Sequence, residues 1–250
     1  MQRLPALSQH FLRSPLIVKR LLGHTTIKKT DVVYDFGAGS GVVASALAGA
    51  AKKVVAVEVD ERILPTLQKN LQKFSNVQVM RADVLTMLLP TGPYKVFANI
   101  PFDLSSPIVR RLCQAPNPPD AIYLVVQEQF ARKLLPDNPG YSNQLGITIG
   151  VNFAVRIRYR LRPYDFSPRP NVPTVLLELL HRPAPLIAAG QQPAFTLFVT
   201  NAFTNPRHFW QLPLGSLGVP AKASPSTLTL AQWVSLFGYA TKVSTSSLHK

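Results

Sequence analysis

The sequence predicts an α/β fold, in which a mostly parallel sheet is covered by helices and followed by a small helical domain. Short β-branched runs alternate with helical stretches from Asp31 onward, each run ends in a polar or glycine-rich loop, and the sequence changes character after about Arg182. Such alternation is typical of parallel sheets, because their crossover connections are usually helices. The first five predicted strands are residues 32–36, 53–58, 77–81, 95–98 and 121–126.

Two further segments complete the predicted sheet. Residues 153–161 alternate apolar side chains with arginines, and residues 175–180 are continuously apolar. We interpret them as a final antiparallel pair, which brings the sheet to seven strands. The proline-rich stretch 164–173 between them is expected to be an ordered loop or a rigid linker.

A helix is predicted between the fourth and fifth strands. Ser105 and Ser106 suit an N-cap and Pro107 suits the first turn, so the helix should run to about Cys113. This prediction places residues 100–102 in the loop that leaves the fourth strand.

The domain organisation follows from length and from the change after Arg182. A chain of 250 residues with 46% hydrophobic content suits one large domain with a small appendage. After prolines at 183, 185 and 193, residues 195–203 and 228–237 are predicted to form short helices. We therefore expect one large domain over 1–182 and a small helical domain over 183–250.

The charge balance indicates a polyanionic partner. Lys and Arg number 27 against 12 Asp and Glu, which gives a formal net charge of +15, and clustered cations bind nucleic acid by releasing counterions from phosphates. No apolar stretch is long enough to span a bilayer, and no signal-peptide pattern begins the chain, so we expect a cytoplasmic monomer. Cys113 is the only cysteine, which excludes an internal disulfide and a cysteine-based zinc cluster, and we expect no metal.

A candidate cofactor site follows the first three strands. The glycine-rich turn from Asp35 to Gly41, with Gly37 and Gly39, brings bare backbone amides close to a ligand. Glu58 ends the second strand, where a carboxylate can accept both hydroxyls of a ribose, and Asp83 after the third strand can accept an adenine amino group. This arrangement also fits NAD, and each feature alone has a purely structural interpretation as a tight turn or a helix cap.

The loop after the fourth strand carries a more specific chemistry. Asn99 and the following backbone offer an amide oxygen and a carbonyl to an exocyclic amine, and Phe102 offers a ring for stacking. An adenine amine is a poor nucleophile, so two acceptors that favour a pyramidal nitrogen promote its attack on a methyl donor. The alternative is a proline turn after a strand, with Phe102 in the core.

At these residues the chain resembles the rRNA adenine N6-methyltransferases, which include the erythromycin-resistance (Erm) enzymes and the KsgA-type dimethyltransferases. The resemblance covers nearly the whole chain and depends on the order and spacing of five segments more than on any one of them. The five matching segments are residues 8–12 (SQHFL), 35–41 (DFGAGSG), 57–60 (VEVD), 99–102 (NIPF) and 166–172 (FSPRPNV).

The resemblance implies a Rossmann-like, seven-stranded class I methyltransferase domain that uses S-adenosyl-L-methionine and acts on ribosomal RNA. It also implies a flipped adenine held by the catalytic loop, since a stacked base is out of reach. The implied cofactor-binding residues are His10, Leu12, Gly37, Gly39, Glu58, Asp83 and Asn99. The implied catalytic residues are Asn99, Ile100, Pro101 and Phe102, with Phe166 gripping the adenine.

The chain departs from the family pattern at three positions. His10 replaces the usual Asn, Asp35 replaces the usual Glu, and Asp103 stands where small or amide residues are common. The change at His10 bears on cofactor binding if its side chain is used, and leaves it intact if the backbone is used.

The tail over residues 228–237 is similar to the terminal helix of the Erm branch, so the expected substrate is one adenosine of 23S rRNA, with macrolide-type resistance as the consequence. Three alternatives stay open: a KsgA-type 16S rRNA dimethyltransferase, a non-catalytic RNA-binding relative, and a DNA adenine methyltransferase. The expected phosphate-contacting surface comprises the N-terminal basic residues together with Arg156, Arg158, Arg160 and Arg162.

Overall fold

A seven-stranded sheet organises the first of the two units into which the chain divides. The computed structural model describes residues 10–138, 140–220 and 222–247. The first unit contains residues up to 131 together with 156–181, and the second contains residues 132–155 together with those from 182 onward. The helix α5 (Glu128–Leu134) and one strand cross the division.

The sheet has the order β4-β3-β2-β5-β6-β9-β7. Strands β2 to β6 pair in parallel, and β9 pairs antiparallel with β6, so the predicted last two strands are neighbours at one edge. The fold class is confirmed. The strands are β2 (Val32–Phe36), β3 (Lys53–Glu58), β4 (Val77–Arg81), β5 (Lys95–Asn99), β6 (Ala121–Gln127), β7 (Phe153–Leu161) and β9 (Thr174–His181).

A second, two-stranded sheet pairs β1 (Phe11–Leu12) with β8 (Phe166–Ser167). It joins the start of the described chain to the proline-rich segment, which is ordered: a 3₁₀ turn at Pro163–Asp165 precedes β8. The predicted loop therefore contains a short strand. The pairing of Leu12 with Phe166 brings both side chains into the core of the first unit.

Helices cover the first unit's sheet as the alternating pattern predicts. They are α1 (Pro15–Leu22), α2 (Val42–Ala48), α3 (Leu64–Leu71) and α4 (Ser105–Cys113). In α1, Pro15 occupies the first turn and Val18 and Leu21, three positions apart, are fully buried.

The start of α4 differs from the prediction. Leu104, not a serine, is the N-cap residue, and no side chain caps the helix. A 3₁₀ turn at Phe102–Leu104 runs directly into α4, so Ser105 is already helical, and its buried Oγ has no hydrogen-bond partner within the described ranges. The predicted N-cap was wrong because the preceding loop already turns in a helical sense.

The second unit has its own apolar core, in which aliphatic and aromatic residues pack together with the fully buried Trp233. The predicted short helices appear here with longer bounds. Its helices are α6 (Gln144–Gly150), α7 (Gln192–Thr204), α8 (Pro206–Trp210) and α9 (Leu230–Ser247). The segment 132–155, which contains α6, groups with this unit, although the sequence analysis assigned it to the first domain.

Among the helices of the described ranges, none combines the length and the apolar character that crossing a bilayer requires.

Candidate active site

The site lies at the carboxyl ends of β2, β3, β4 and β5, where a cleft opens. The chain order reverses between β2 and β5, and ligands of open α/β sheets bind at such a switch point. The cleft is lined mainly by apolar side chains with a few polar groups among them, as small-molecule sites commonly are. The predicted residues that line it are His10, Gly37, Gly39, Glu58, Asp83, Asn99, Ile100 and Pro101.

The glycine-rich turn forms one wall of this cleft. Gly37 has φ +74°, and a Cβ built on it would meet no atom within 4 Å, so the space beside its backbone is open to a ligand. The backbone amides of Gly37 and Ala38 both donate to the Val57 carbonyl, at 2.9 and 3.0 Å, which ties the turn to β3. Gly41, with φ +90°, begins α2 as its N-cap.

Glu58 is held firmly by backbone amides. Its carboxylate accepts from Gly39 at 2.8 Å, from Val59 at 2.9 Å and from Asp60 at 3.0 Å, and the residue is only 7% exposed. A carboxylate has about four acceptor positions, so roughly one remains for a ligand. Acceptance of two ribose hydroxyls would therefore require one of these hydrogen bonds to be shared or exchanged.

Asp83 is exposed at the rim of the cleft. Its Oδ1 accepts the amide of Leu85 at 2.8 Å, while its backbone carbonyl accepts the amides of Thr86 and Met87, so the turn after β4 fixes the carboxylate. Oδ2 points to no donor among the hydrogen bonds of the described residues and is available as an acceptor.

One hydrogen bond fixes the orientation of the Asn99 side-chain amide. Its Nδ2 donates to the backbone carbonyl of His10 at 2.7 Å. A carbonyl only accepts, so the NH2 group must face His10 and the Oδ1 must face away from it. The amide oxygen is therefore left as an acceptor on a residue that lines the cleft.

The other residues of the loop after β5 differ in their position relative to the cleft. Ile100 and Pro101 line the cleft, and the Pro101 carbonyl already accepts the amide of Leu104 at 3.1 Å. Phe102 is half-buried, and its ring centroid lies 5.5 Å from that of His10.

Three of the predicted site residues, Leu12, Phe102 and Phe166, do not line the cleft. Leu12 and Phe166 are 3% and 0% exposed, belong to the core of the first unit, and are absent from the cleft wall. Phe166 instead contacts the N-terminal segment, because its backbone carbonyl accepts a hydrogen bond from the Arg13 Nε at 2.7 Å. The grip of Phe166 on an adenine stays a prediction. Ser8 and Gln9 of the matching N-terminal segment lie outside the described residues.

Several apolar residues of the wall were not predicted from the sequence. Val59 and Val84 each follow a predicted acid directly, and Val59 is 60% exposed. Both could have been predicted from their position immediately after an acid at a strand end. An apolar side chain there gives a planar ring of a ligand a surface to pack on. The other wall residues not predicted are Phe11, Phe36, Val57, Ile63, Ala82, Leu104 and Ile108.

Asp35 lies beneath the glycine turn and is fully buried. Neither carboxylate oxygen has a hydrogen-bond partner of normal geometry within the described ranges. Burial raises the pKa of Asp35 to about 8 against the opposing influence of the Ala44 amide, and the nearby Glu58 carboxylate adds to the rise. This group is therefore mostly protonated at neutral pH.

The predicted phosphate-contacting arginines are exposed but differ in their contacts. Arg160 pairs with Glu128 at 3.3 Å, Arg158 lies 3.9 Å from Glu178, and Arg162 donates to the Tyr164 hydroxyl. Arg156 has no ion pair or side-chain hydrogen bond among the described residues. Exposure with few internal contacts leaves Arg156 most available to a partner.

The N-terminal basic residues divide in the same way. Arg13 and Arg20 are engaged internally, Arg20 through an ion pair with Asp165 at 2.9 Å. Lys19, Lys28 and Lys29 are exposed, and their side chains make no ion pair within the part of the chain that the structure describes. Arg3 lies outside the described residues.

The fold and the cleft define a class I methyltransferase. A family profile described as ribosomal RNA adenine dimethylase matches residues 2–232. The chain therefore belongs to the ribosomal RNA adenine dimethylase family, and it is an S-adenosylmethionine-dependent rRNA adenine methyltransferase. The cofactor fits this cleft, because Gly37 leaves open space where any side chain would intrude and the acceptors of Asp83 and Asn99 line the wall.

Curated relatives carry small-subunit names. Ribosomal RNA small subunit methyltransferase A from Latilactobacillus sakei is 30% identical over 213 residues, which cover 81% of this chain and 71% of the relative. Probable ribosomal RNA small subunit methyltransferase A from Methanococcus maripaludis strain C5 is 32% identical over 185 residues, 73% of this chain and 69% of the relative.

Solved structures agree with the fold over most of the chain. The crystal structure of the 23S rRNA methyltransferase ErmE superposes with a TM-score of 0.81 at 26% identity, covering 91% of this chain and 98% of that one. A dimethyladenosine transferase from Plasmodium falciparum shares the fold, with a TM-score of 0.71 at 20% identity over 91% of this chain and 96% of that one.

Proposed function

We propose that this chain methylates N6 of one adenosine in 23S rRNA and thereby weakens the binding of macrolide-type antibiotics to the ribosome. The observation that supports the chemistry is the contact between Asn99 and the His10 carbonyl, which leaves the amide oxygen of this cleft-lining residue as an acceptor. We also propose that residues 1–182 carry catalysis and that 183–250 form an accessory helical domain.

The catalytic step is one of positioning. S-adenosyl-L-methionine, when bound, supplies an electrophilic methyl group. The Asn99 Oδ1 accepts one N–H of the adenine amine, and the Ile100 carbonyl accepts the other, since the Pro101 carbonyl is already used by Leu104. Two acceptors would favour a pyramidal amine with an available lone pair, and they would stabilise the positive charge that develops on nitrogen during methyl transfer.

The test of this role is an Asn99→Ala variant. We expect kcat on rRNA to fall by about 10²-fold or more, the scale for a preorganised polar group that acts in the transition state, with cofactor binding retained in part. Asn117→Ala is the matched control, since its Nδ2 also donates to a carbonyl, that of Pro90 at 2.9 Å, away from the cleft wall. Full activity of Asn99→Ala would reject the assigned role.

The choice of 23S rRNA is supported by the similarity to ErmE, which extends over 98% of that chain at a TM-score of 0.81. The terminal helix α9 contains residues 230–237 of the segment that is similar to the Erm branch. A 16S rRNA substrate is the second candidate, because the curated relatives at 30–32% identity are named small subunit methyltransferases.

Labelled methyl transfer to purified 23S and 16S rRNA distinguishes the two candidates. Mass spectrometry of rRNA from cells with and without the protein then reports the nucleotide and the number of methyl groups. We expect a labelled adenosine in 23S rRNA and reduced macrolide susceptibility of the expressing cells. Exclusive labelling of 16S rRNA would move the chain to the second candidate, and labelling of duplex DNA alone would reject both.

For RNA binding we propose that the four arginines at 156, 158, 160 and 162 act together with the basic residues near the N-terminus. We replace by Gln the cations that have the fewest contacts within the protein. A plot of the logarithm of the RNA association constant against the logarithm of the salt concentration should then become shallower by about 0.7–0.9 for each phosphate that is no longer neutralised. The control removes the same charge from exposed lysines elsewhere, and an equal change there would reject this surface. The test set is Lys19, Lys28, Lys29 and Arg156, and the control set is Lys52, Lys53, Lys69 and Lys73.

A further inference from the structure

We propose that the His10 side chain is a positioning residue for methyl transfer, which holds the Asn99 acceptor and the Phe102 ring in place by anchoring the N-terminal segment to the loop after β8. The proposal rests on the proposed function, because it assumes that Asn99 and Phe102 handle the adenine. It assigns a role to a residue at which the chain departs from the family pattern.

The first observation is that His10 joins three segments distant in sequence. Its carbonyl accepts the Asn99 Nδ2 at 2.7 Å, and its ring Nδ1 lies 3.0 Å from the carbonyl of Pro168. These partners are 89 and 158 residues away along the chain. The position of the His10 backbone therefore decides where the Asn99 amide points, and the ring contact decides where that backbone lies.

The second observation fixes the chemistry of the ring contact. The Pro168 carbonyl can only accept, so Nδ1 must carry the hydrogen in this contact. The ring therefore acts as a donor, and any replacement without a donor at this point loses the anchor. The Asn99 contact survives such a replacement in principle, because it uses the His10 backbone.

The third observation concerns the adenine-binding side of the loop. The His10 and Phe102 ring centroids are 5.5 Å apart with an interplanar angle of 33°. Atoms in contact lie about 3.5 Å apart, so a base inserted between the two rings would need about 7 Å. The 5.5 Å spacing leaves no room for a base between the two rings, and the His10 ring packs against Phe102 instead.

Asparagine offers a matched rescue of this role. Its Nδ2 is bonded to Cγ just as the histidine Nδ1 is, so His10→Asn keeps a donor at nearly the same place. His10→Leu has a similar branched shape at Cγ but no donor. The two variants differ mainly in the hydrogen bond to Pro168, and both lose the ring that packs against Phe102.

The experiment measures kcat, rRNA KM and cofactor affinity for the wild type and both variants. For His10→Leu we expect kcat to fall about 5- to 100-fold. The lower value corresponds to the loss of one hydrogen bond, and the upper value to an ångström-scale misplacement of Asn99. For His10→Asn we expect kcat within about threefold of the wild type, with the thermal unfolding midpoints of both variants unchanged. Wild-type kcat in His10→Leu, or equal losses in both variants, would overturn the proposal.

A second readout does not depend on activity. Long-range ¹H–¹⁵N correlation spectra report the tautomer of each histidine, and the signal missing in His10→Asn identifies His10. We expect the Nδ1–H tautomer in the neutral ring, and an Nε2–H tautomer would overturn the proposal. A wild type that labels no rRNA would instead overturn the proposed function, so the two failures are distinguishable.

Discussion

The glycine-rich turn provides the sharpest test of the cleft, because two of its glycines share a backbone requirement and face different surroundings. Gly37 has φ +74° and open space where a Cβ would lie, and it lines the cleft. Gly41 has φ +90°, and its Cβ would lie 3.0 Å from Leu67 and 3.1 Å from Leu71. We therefore compare Gly37→Ala with Gly41→Ala.

The expected magnitudes follow from these surroundings. A left-handed conformation costs a residue with a Cβ about 1–2 kcal/mol, and both variants incur this cost. Gly41→Ala adds overpacking of about 1–3 kcal/mol against the two leucines, so its free energy of unfolding should fall by roughly 2–5 kcal/mol in total. Gly37→Ala should lose only the smaller amount, and its methyl group should weaken cofactor binding, because it projects into the cleft.

The assay uses urea unfolding followed by two probes. Both tryptophans, Trp210 and Trp233, lie in the second unit, so their fluorescence reports on that unit, whereas far-ultraviolet circular dichroism follows both units. The circular-dichroism transition should shift in both variants, and calorimetry should detect weaker cofactor binding in Gly37→Ala. Equal stability losses in the two variants would refute the packing argument, and wild-type cofactor affinity in Gly37→Ala would refute the assignment of the cleft.

Three further predictions concern single side chains and are measured by urea unfolding. Because the pKa of Asp35 is raised from 3.8 to about 8, the folded state holds a proton that the unfolded chain releases, so stability should fall between about pH 4 and pH 8 by at most about 1.4 kcal/mol per pH unit. Asp35→Asn should remove this slope, and an unchanged slope would contradict the shifted pKa. Tyr123→Phe should cost about 1–3 kcal/mol, since the hydroxyl accepts the Thr26 amide at 2.8 Å; no loss would show that water replaces it. Asn143→Ala removes the N-cap acceptor of the Gly146 amide at 2.8 Å and should cost about 0.5–2 kcal/mol, visible in tryptophan fluorescence, and a shift confined to circular dichroism would contradict it.

The sheet was predictable because its strands carry their own local signal. Strands β2, β3, β4 and β7 have the predicted bounds, since β-branched runs end at turn-forming residues. Parallel order then places successive strand ends at one edge, which is why Gly37, Glu58, Asp83 and Asn99 were predicted together and line one cleft. Local pattern and sheet topology were sufficient for this part of the site.

The contacts of His10 and Phe166 were not predictable in the same way. Strands β1 and β8 have two residues each, too few for a periodic pattern, and their register of Leu12 with Phe166 joins segments more than 150 residues apart. The grouping of 132–155 with the second unit has the same origin, because every residue of α6 except Gln144 is buried and its sequence does not indicate which core it enters. Long-range packing decides such cases, and a single sequence carries little of it.

The charge distribution suits two ligands of opposite sign. The chain has a net charge of +15, yet the cleft wall contains the carboxyl groups of Glu58 and Asp83 and, within the described ranges, no lysine or arginine. Under the proposed function, a cationic cofactor enters a cleft whose wall carries acids, whereas RNA phosphates would meet exposed cations such as Arg156 outside the cleft wall. Because the Debye length is about 8 Å at physiological salt, the surface cations act mainly on phosphates that lie close to them. The cofactor and the RNA can therefore be attracted independently to different parts of one protein, which a uniformly basic surface would not permit.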